Sequence, residues 1–213
     1  MPPHTPLRGR FVDLEPLDPA RHSDDLWQAL QGPEADPAQW DYLPYGPFVA
    51  RADFDAWLAG HARGRDPLFF AVHERTGGRV LGLLALMHIA AAHGCVEIGH
   101  LSFGSAMQHT PGATEAVYLL ARRVFDLGYR RLEWKCDAAN ARSRRAAERL
   151  GFSAEGLFRQ HMVVKGRNRD SAWYALLDGD WPRCRVAFER WLAADNFTAE
   201  GRQRQTLTAL RAE

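Results

Sequence analysis

Cysteine is scarce in this sequence: three in 213 residues, Cys95, Cys136 and Cys184, an odd number set far apart. That excludes a disulfide framework and any Cys-x-x-Cys metal clasp, and it suits a reducing cytoplasm. Long apolar runs are lacking as well. The longest, Val80 to Met87, has eight residues, against roughly 20 for a spanning helix, so no membrane partner is expected. The N-terminal residues show no apolar segment of the signal-peptide kind. Net charge is only +1, which argues against a nucleic-acid binder held by bulk positive charge. There is no repeat, no low-complexity tract and no Gly-x-x-x-x-Gly-Lys-Ser/Thr phosphate loop.

What the chain has is apolar bulk. Seven Trp and eleven Phe supply enough area to close a core without staples. Charge is unevenly placed. Residues 11–60 hold ten acids against two Arg, and residues 121–150 hold nine bases against four acids. These are either scattered solvated faces, or an acidic side for a cation such as an amine and a basic side for an anion.

Alternation and capping give an element order. Phe11–Leu17 alternates as a strand, and Asp18-Pro19 opens a helix to about Leu30. Gln31–Pro47 is rich in Pro and Gly yet carries Trp40, Tyr42 and Tyr45, with Phe48 just beyond. That density suggests a lid over a ligand or, alternatively, a loop tucked onto the core. Residues 51–63 form a second helix. Strands follow at 68–72, 80–89 and 96–103, then a helix at 114–127 stopped by Gly128. A strand at 131–136, a short helix from Asn140 to Gly151, a hairpin at 152–164 and 170–177, and a helix from Trp181 complete the pattern. The tail after Asp195 is polar and is expected to be peripheral. The whole reads as a mixed α/β sheet with helices on both faces.

The segment most informative about chemistry is Val96–Phe103, then the loop from Gln108, then the amphipathic helix. Amides at a helix start lack internal partners and sit at the positive end of the dipole, which suits a pyrophosphate. Several strings then make the chain recognisable: Val96-Glu-Ile-Gly-His100, Gln108-x-x-Pro-Gly-Ala-Thr-Glu-Ala116, Leu127-Gly-Tyr-Arg-Arg-Leu132, Asn140-x-x-Ser143, Arg149-Leu-Gly-Phe-x-x-Glu-Gly156, Arg169-Asp-Ser-Ala-Trp-Tyr174 and the opening Gly9–Leu17. The chain resembles the GNAT superfamily of acyl-CoA-dependent N-acyltransferases, and within it the RimJ/RimL-type ribosomal-protein N-acetyltransferase branch. The likeness spans residues 8–182 as one domain, leaving 183–213 as a C-terminal helix and tail.

The resemblance implies a twisted mixed sheet of about seven strands whose central parallel pair splays apart. It implies acetyl-CoA as co-substrate, with no metal, and an amine acceptor, either a protein N-terminus or a small molecule. It also implies a cytoplasmic monomer or homodimer. The pantetheine would run along the strand edge at Leu101, Ser102 and Phe103. The phosphate loop would be Gln108, His109, Thr110, Gly112, Ala113 and Thr114, helped by some of Arg142, Arg144, Arg145 and Arg149. Pro111 stands where the family usually has Gly and removes one amide donor. Asn140 would bind the pantetheine amides or serve simply as an N-cap. Ser143 would hydrogen-bond the leaving thiolate or be an ordinary first-turn Ser. Ala147 replaces the Tyr that serves many relatives as general acid. Glu97 is the expected general base, with a strand-ordering role as its alternative and with His100 and His161 as rival bases. Trp40, Tyr42 and Tyr45 would form the acceptor side. A CoA-binding sensor without turnover is the competing reading.

Overall fold

The computed structural model describes all 213 residues. Its framework is one eight-stranded sheet in the order β1-β2-β3-β4-β5-β6-β8-β7. The strands are β1 (Leu7–Arg8), β2 (Val12–Pro16), β3 (Leu68–Glu74), β4 (Val80–Ala90), β5 (Cys95–Phe103), β6 (Arg131–Asp137), β7 (Ser153–Val164) and β8 (Arg167–Leu177). The helices are α1 (Pro19–Gln31), α2 (Arg51–Ala62), α3 (Pro111–Asp126), α4 (Ala141–Arg149), α5 (Trp181–Leu192) and α6 (Leu207–Ala212). The strand beyond the expected seven is β1. It has two residues, too short for any periodicity, and pairs with β2 through Leu7↔Leu14.

Each face of the sheet has its own core. The larger gathers Val96, Ile98, Leu132, Trp134 and Cys136 with α3, α5 and α6. The smaller packs α1, α2 and Trp40 on Phe69, Ala71, Leu83 and Ala85. By alternation, Glu97 and Lys135 point away from the larger core, to the α1/α2 side.

One parallel contact shapes the functional region. Strands β5 and β6 pair at Cys95↔Arg131, Val96↔Leu132 and Glu97↔Glu133, then run on to Phe103 and Asp137 without further pairing. The other strand pairs are antiparallel. The sheet is thus forked at its centre, and Glu97 stands at the last paired rung. Two irregularities of the β4–β5 ladder flank the fork. On β5 the register passes from Ala85↔Gly99 to Leu83↔Ser102, so His100 and Leu101 oppose Leu84 alone. His100 takes φ 52° there, the signature of a bulge. On β4 the break lies between Met87 and Ala90, and His88 takes φ 49°.

Helix α3 begins at Pro111, three residues before the expected Thr114, because Thr110 is its N-cap and Pro suits the first turn. The C-terminal segment is not peripheral. Trp181, Phe188 and Trp191 of α5, and Leu207 and Leu210 of α6, are buried in the larger core. Arg211 of α6 donates to the carbonyls of Arg149 and Glu148 at 2.8 and 3.0 Å, covering the end of α4.

Candidate active site

The fork brings residues from several segments together. On the α1/α2 side, Glu97 is 4% exposed. Its Oε2 lies 2.7 Å from His88 Nδ1 and 2.6 Å from Lys135 Nζ. Lys135 spans the gap from β6, with its ammonium 4.3 Å above the Trp173 ring. The structure seats one oxygen of Glu97, the expected general base, between two donors. Neither His88 nor Lys135 stood out in the sequence. Lys135 is an ordinary outward position of an alternating strand, and His88 reaches Glu97 only through the β4 irregularity.

On the opposite side of the fork is α4. Asn140 caps it, with Oδ1 accepting the Ser143 N–H at 3.0 Å. Its plain structural role is therefore filled. Ser143 Oγ accepts from Trp134 Nε1 at 3.0 Å. With that lone pair taken, the hydroxyl proton is free to donate elsewhere, which is the polarity a departing thiolate needs. Ala147 is fully buried, so the position of the usual Tyr is packing.

The cofactor stretch divides. Ser102 is 3% exposed and its hydroxyl makes no hydrogen bond, an unsatisfied polar group on the stretch of β5 whose β6-side edge is unpaired. Leu101 and Phe103 are half-buried on either side of it. The Phe103 carbonyl is already taken by Gln108 Nε2 at 2.9 Å. Gln108 thus anchors the loop to the strand. His109 is exposed at φ 62°. Thr110 Oγ1 accepts weakly from Ala113 N–H at 3.4 Å, and first-turn amides have no helical acceptor. These features fit an acyl-CoA: an unpaired edge, a buried unsatisfied hydroxyl and a helix start.

Other expected helpers are committed elsewhere. A Cβ at Gly112 would lie 2.8 Å from Val12 Cγ1, so close packing of α3 on β2 already demands a glycine. Thr114 is buried and accepts from Arg149 Nη1 at 3.0 Å. Arg149 also lies over Trp191, and burial with nearby Arg211 pushes its guanidinium down from the usual value. It supports the fold. Arg144 donates to the Tyr174 hydroxyl at 3.1 Å. Arg142 donates to Asp36 Oδ2 at 3.0 Å. Arg145 is exposed and is the most available of the four for an anion.

The aromatic loop straps the fork. Its ties reach both sides: Ser105 Oγ to the Glu34 carbonyl at 2.7 Å, Arg142 to Asp36, Tyr42 hydroxyl to the Ala139 carbonyl at 3.3 Å, and Lys165 Nζ to the Trp40 carbonyl at 2.7 Å. Trp40 itself is 1% exposed and sits in the smaller core. Its indole packs against Gly46, Tyr45 and Phe48, so it holds the loop and does not present a contact surface. Tyr45 stacks on His100 and its hydroxyl lies 2.9 Å from His100 Nδ1. Burial drives the His100 imidazole down to about 4, leaving it neutral and a weak base near pH 7. His161, on exposed β7, pairs through Nδ1 with Ser171 Oγ at 2.9 Å.

A separate cluster of Glu15, His22 and His73 has metal-like composition. Its hydrogen bonds oppose that use. The Asp18 N–H donates to His22 Nδ1 at 3.1 Å, so the His22 proton sits on Nε2, 3.2 Å from His73 Nε2. A metal would need that nitrogen bare.

Comparison with known proteins agrees with this geometry. Residues 12–153 match the model of an acetyltransferase (GNAT) domain. A GCN5-related N-acetyltransferase from Brucella melitensis is 46% identical, with TM-score 0.97 over 100% of this chain and 96% of that one. A probable acetyltransferase of the GNAT family from Chromobacterium violaceum is 44% identical, with TM-score 0.79 over 84% of this chain and 89% of that one. The microcin C7 self-immunity acetyltransferase MccE, solved with acetyl-CoA and AMP, shares the fold at 18% identity, with TM-score 0.68 over 79% of this chain and 93% of that one. A search of curated protein sequences returns no match. The forked sheet, the strapped gap and a family match over most of the chain converge: this protein belongs to the GNAT acetyltransferase family.

Proposed function

We propose that the protein transfers an acetyl group from acetyl-CoA to a primary amine by direct attack while both substrates are bound. The observation that carries the reading is the fork itself. It offers a network of Glu97, His88 and Lys135 on one side and, on the other, the Ser143 hydroxyl, which accepts from Trp134 and keeps a proton to donate. Acetyl-CoA supplies the activated acyl group. The unpaired edge from Ile98 to Ser102 would take the pantetheine as an added strand, with the orphan Ser102 hydroxyl, Asn140 and the start of α3 as further polar partners. Tyr42 and Tyr45, held by the strap, would face the acceptor.

The acceptor is a protein N-terminus or a small amine, in keeping with the RimJ/RimL-like strings, and the setting is cytoplasmic. Amines are mostly ammonium near pH 7, so a group that removes a proton is needed before attack. Incubating the chain with acetyl-CoA and a panel of peptides and small amines, and following thiol release, tests the reading. Turnover with at least one amine is expected. Tight acetyl-CoA binding with no thiol release across the panel would favour a CoA-binding sensor instead.

A further inference from the structure

We infer that the atom that takes the acceptor's proton is Nε2 of His88, with Glu97 as its positioning residue. This rests on the acyl-transfer reading above. The argument is one of proton inventory. Glu97 Oε2 and His88 Nδ1 are 2.7 Å apart. Lys135 approaches Nδ1 only at 3.2 Å and is held by Oε2 at 2.6 Å, so the shorter contact decides the tautomer: toward the Glu97 carboxylate, Nδ1 donates. A neutral imidazole that donates from Nδ1 has a bare lone pair on Nε2. His88 is 59% exposed on its side chain, whereas Glu97 is 6%. The lone pair is therefore open to a ligand, and the carboxylate behind it is not. Lys135 Nζ donates to the same Oε2 at 2.6 Å and lies 3.2 Å from Nδ1. Oε2 is thus shared between the two donors and lies behind the ring, which leaves Glu97 to orient His88 rather than to meet the acceptor.

The backbone is built for this placement. His88 sits at φ 49°, a conformation that costs free energy unless its surroundings enforce it. Asp66 enforces it: its two carboxylate oxygens accept the N–H groups of His88 and Ile89, each at 2.9 Å. The charged and titratable groups around the ring are Glu97, Lys135, Asp66 and, further off, His100.

The step balances. The ammonium gives one proton to Nε2, and the freed nitrogen lone pair bonds to the acyl carbon. The carbon–sulfur bond breaks with its electrons on sulfur. The second amine proton neutralises the thiolate, and the imidazolium returns its proton to solvent.

The test compares ethylamine, mostly protonated at neutral pH, with trifluoroethylamine, a free base there, using acetyl-CoA and thiol release. His88→Asn suits the left-handed backbone and keeps a donor toward Glu97. With ethylamine its kcat/KM should fall by about 100-fold or more, and with trifluoroethylamine by less than about 5-fold. Glu97→Gln should show the same bias toward the free base. Nitrogen NMR of the wild type should find the His88 proton on Nδ1. Equal losses with both amines, no loss, or a proton on Nε2 in the neutral ring would overturn the assignment. Wild-type chain that releases no thiol with these amines or with any member of the peptide and amine panel would instead overturn the transfer reading, and the base assignment would fall with it.

Discussion

At the scale of single residues, Ser143 shows how one hydrogen bond fixes the direction of another. Because Trp134 Nε1–H occupies an acceptor site on its oxygen, the hydroxyl must spend its proton on something else. In a transferase the group that gains charge is the departing sulfur, so the bond should strengthen toward the transition state. Ser143→Ala is therefore expected to lower kcat by about 10–100-fold, the worth of a hydrogen bond to a charged group, with little change in acetyl-CoA affinity. It also strands a largely buried indole N–H, so a stability loss of about 1–3 kcal/mol should accompany it. Stopped-flow rates beside calorimetric affinity separate the two effects, and an unchanged rate with chemistry limiting would return Ser143 to a helix-start role. Gly112 carries the opposite lesson. A side chain there meets Val12 before it meets any ligand. Gly112→Asp should weaken acetyl-CoA binding and also lower the melting temperature. Arg145→Ala is the cleaner probe of the phosphate end: weaker binding at unchanged melting temperature is expected, and unchanged affinity would remove Arg145 from that role.

At the scale of elements, the strap is the piece that links composition to function. Its tethers are few and mostly exposed, and an exposed ion pair such as Asp36–Arg142 contributes little to global stability. Cutting them should loosen the loop without unfolding the chain. Arg142→Ala together with Lys165→Ala is expected to speed hydrogen exchange across residues 33–48 and to raise the acceptor KM, while melting moves by only a few degrees. Tyr42→Ala should raise the same KM with acetyl-CoA binding nearly intact. Tyr45→Ala is a poorer probe, because its ring is packed among Trp57, Phe48 and His100 and its loss opens a cavity. If the double variant exchanges no faster than wild type, the strap is a fixed part of the smaller core. The aromatic density of this loop was legible in the sequence. Its attachment to both arms of the fork was not, since Asp36–Arg142 and Trp40–Lys165 join residues more than a hundred positions apart. The same limit hid the Glu97 environment. Alternation placed Glu97 away from Val96 and Ile98, but only a bulge in a neighbouring strand brings His88 to it.

At the scale of the whole molecule, period and caps gave the α/β order almost completely, because those signals are local. What they missed was set by packing at a distance: the two-residue β1, and a polar-looking tail whose Leu207 and Leu210 close the larger core. The charge distribution also has a global consequence. His22 is completely buried between α1 and β3, its Nδ1 committed to the Asp18 N–H. Burial, then the nearby His73, lowers its proton affinity to about 4 from an ordinary 6.5. His100, buried under the strap, is lowered to a similar value. A histidine that stays neutral when folded but protonates when unfolded makes the unfolded state bind more protons between those two values. Stability must then be full above about pH 6.5 and must drain away as pH falls toward 4, by up to roughly 3 kcal/mol for each such group. Paired carboxylates act lower on the scale. At Asp13, burial is outweighed by Arg8, the Gly9 amide and Arg75, which hold it below its ordinary 3.8, so its contribution is lost only in stronger acid. Urea unfolding at pH 7, 6, 5 and 4 should therefore show a steady fall before the carboxylates titrate. His22→Asn keeps an acceptor for the Asp18 N–H and removes the titration, so it should flatten part of that fall while costing some stability at pH 7, where Asn fills the site less well. Parallel curves for the variant and the wild type would mean that His22 is not neutral in the folded protein, its charge being held by the Glu15 carboxylate 3.9 Å from Nε2.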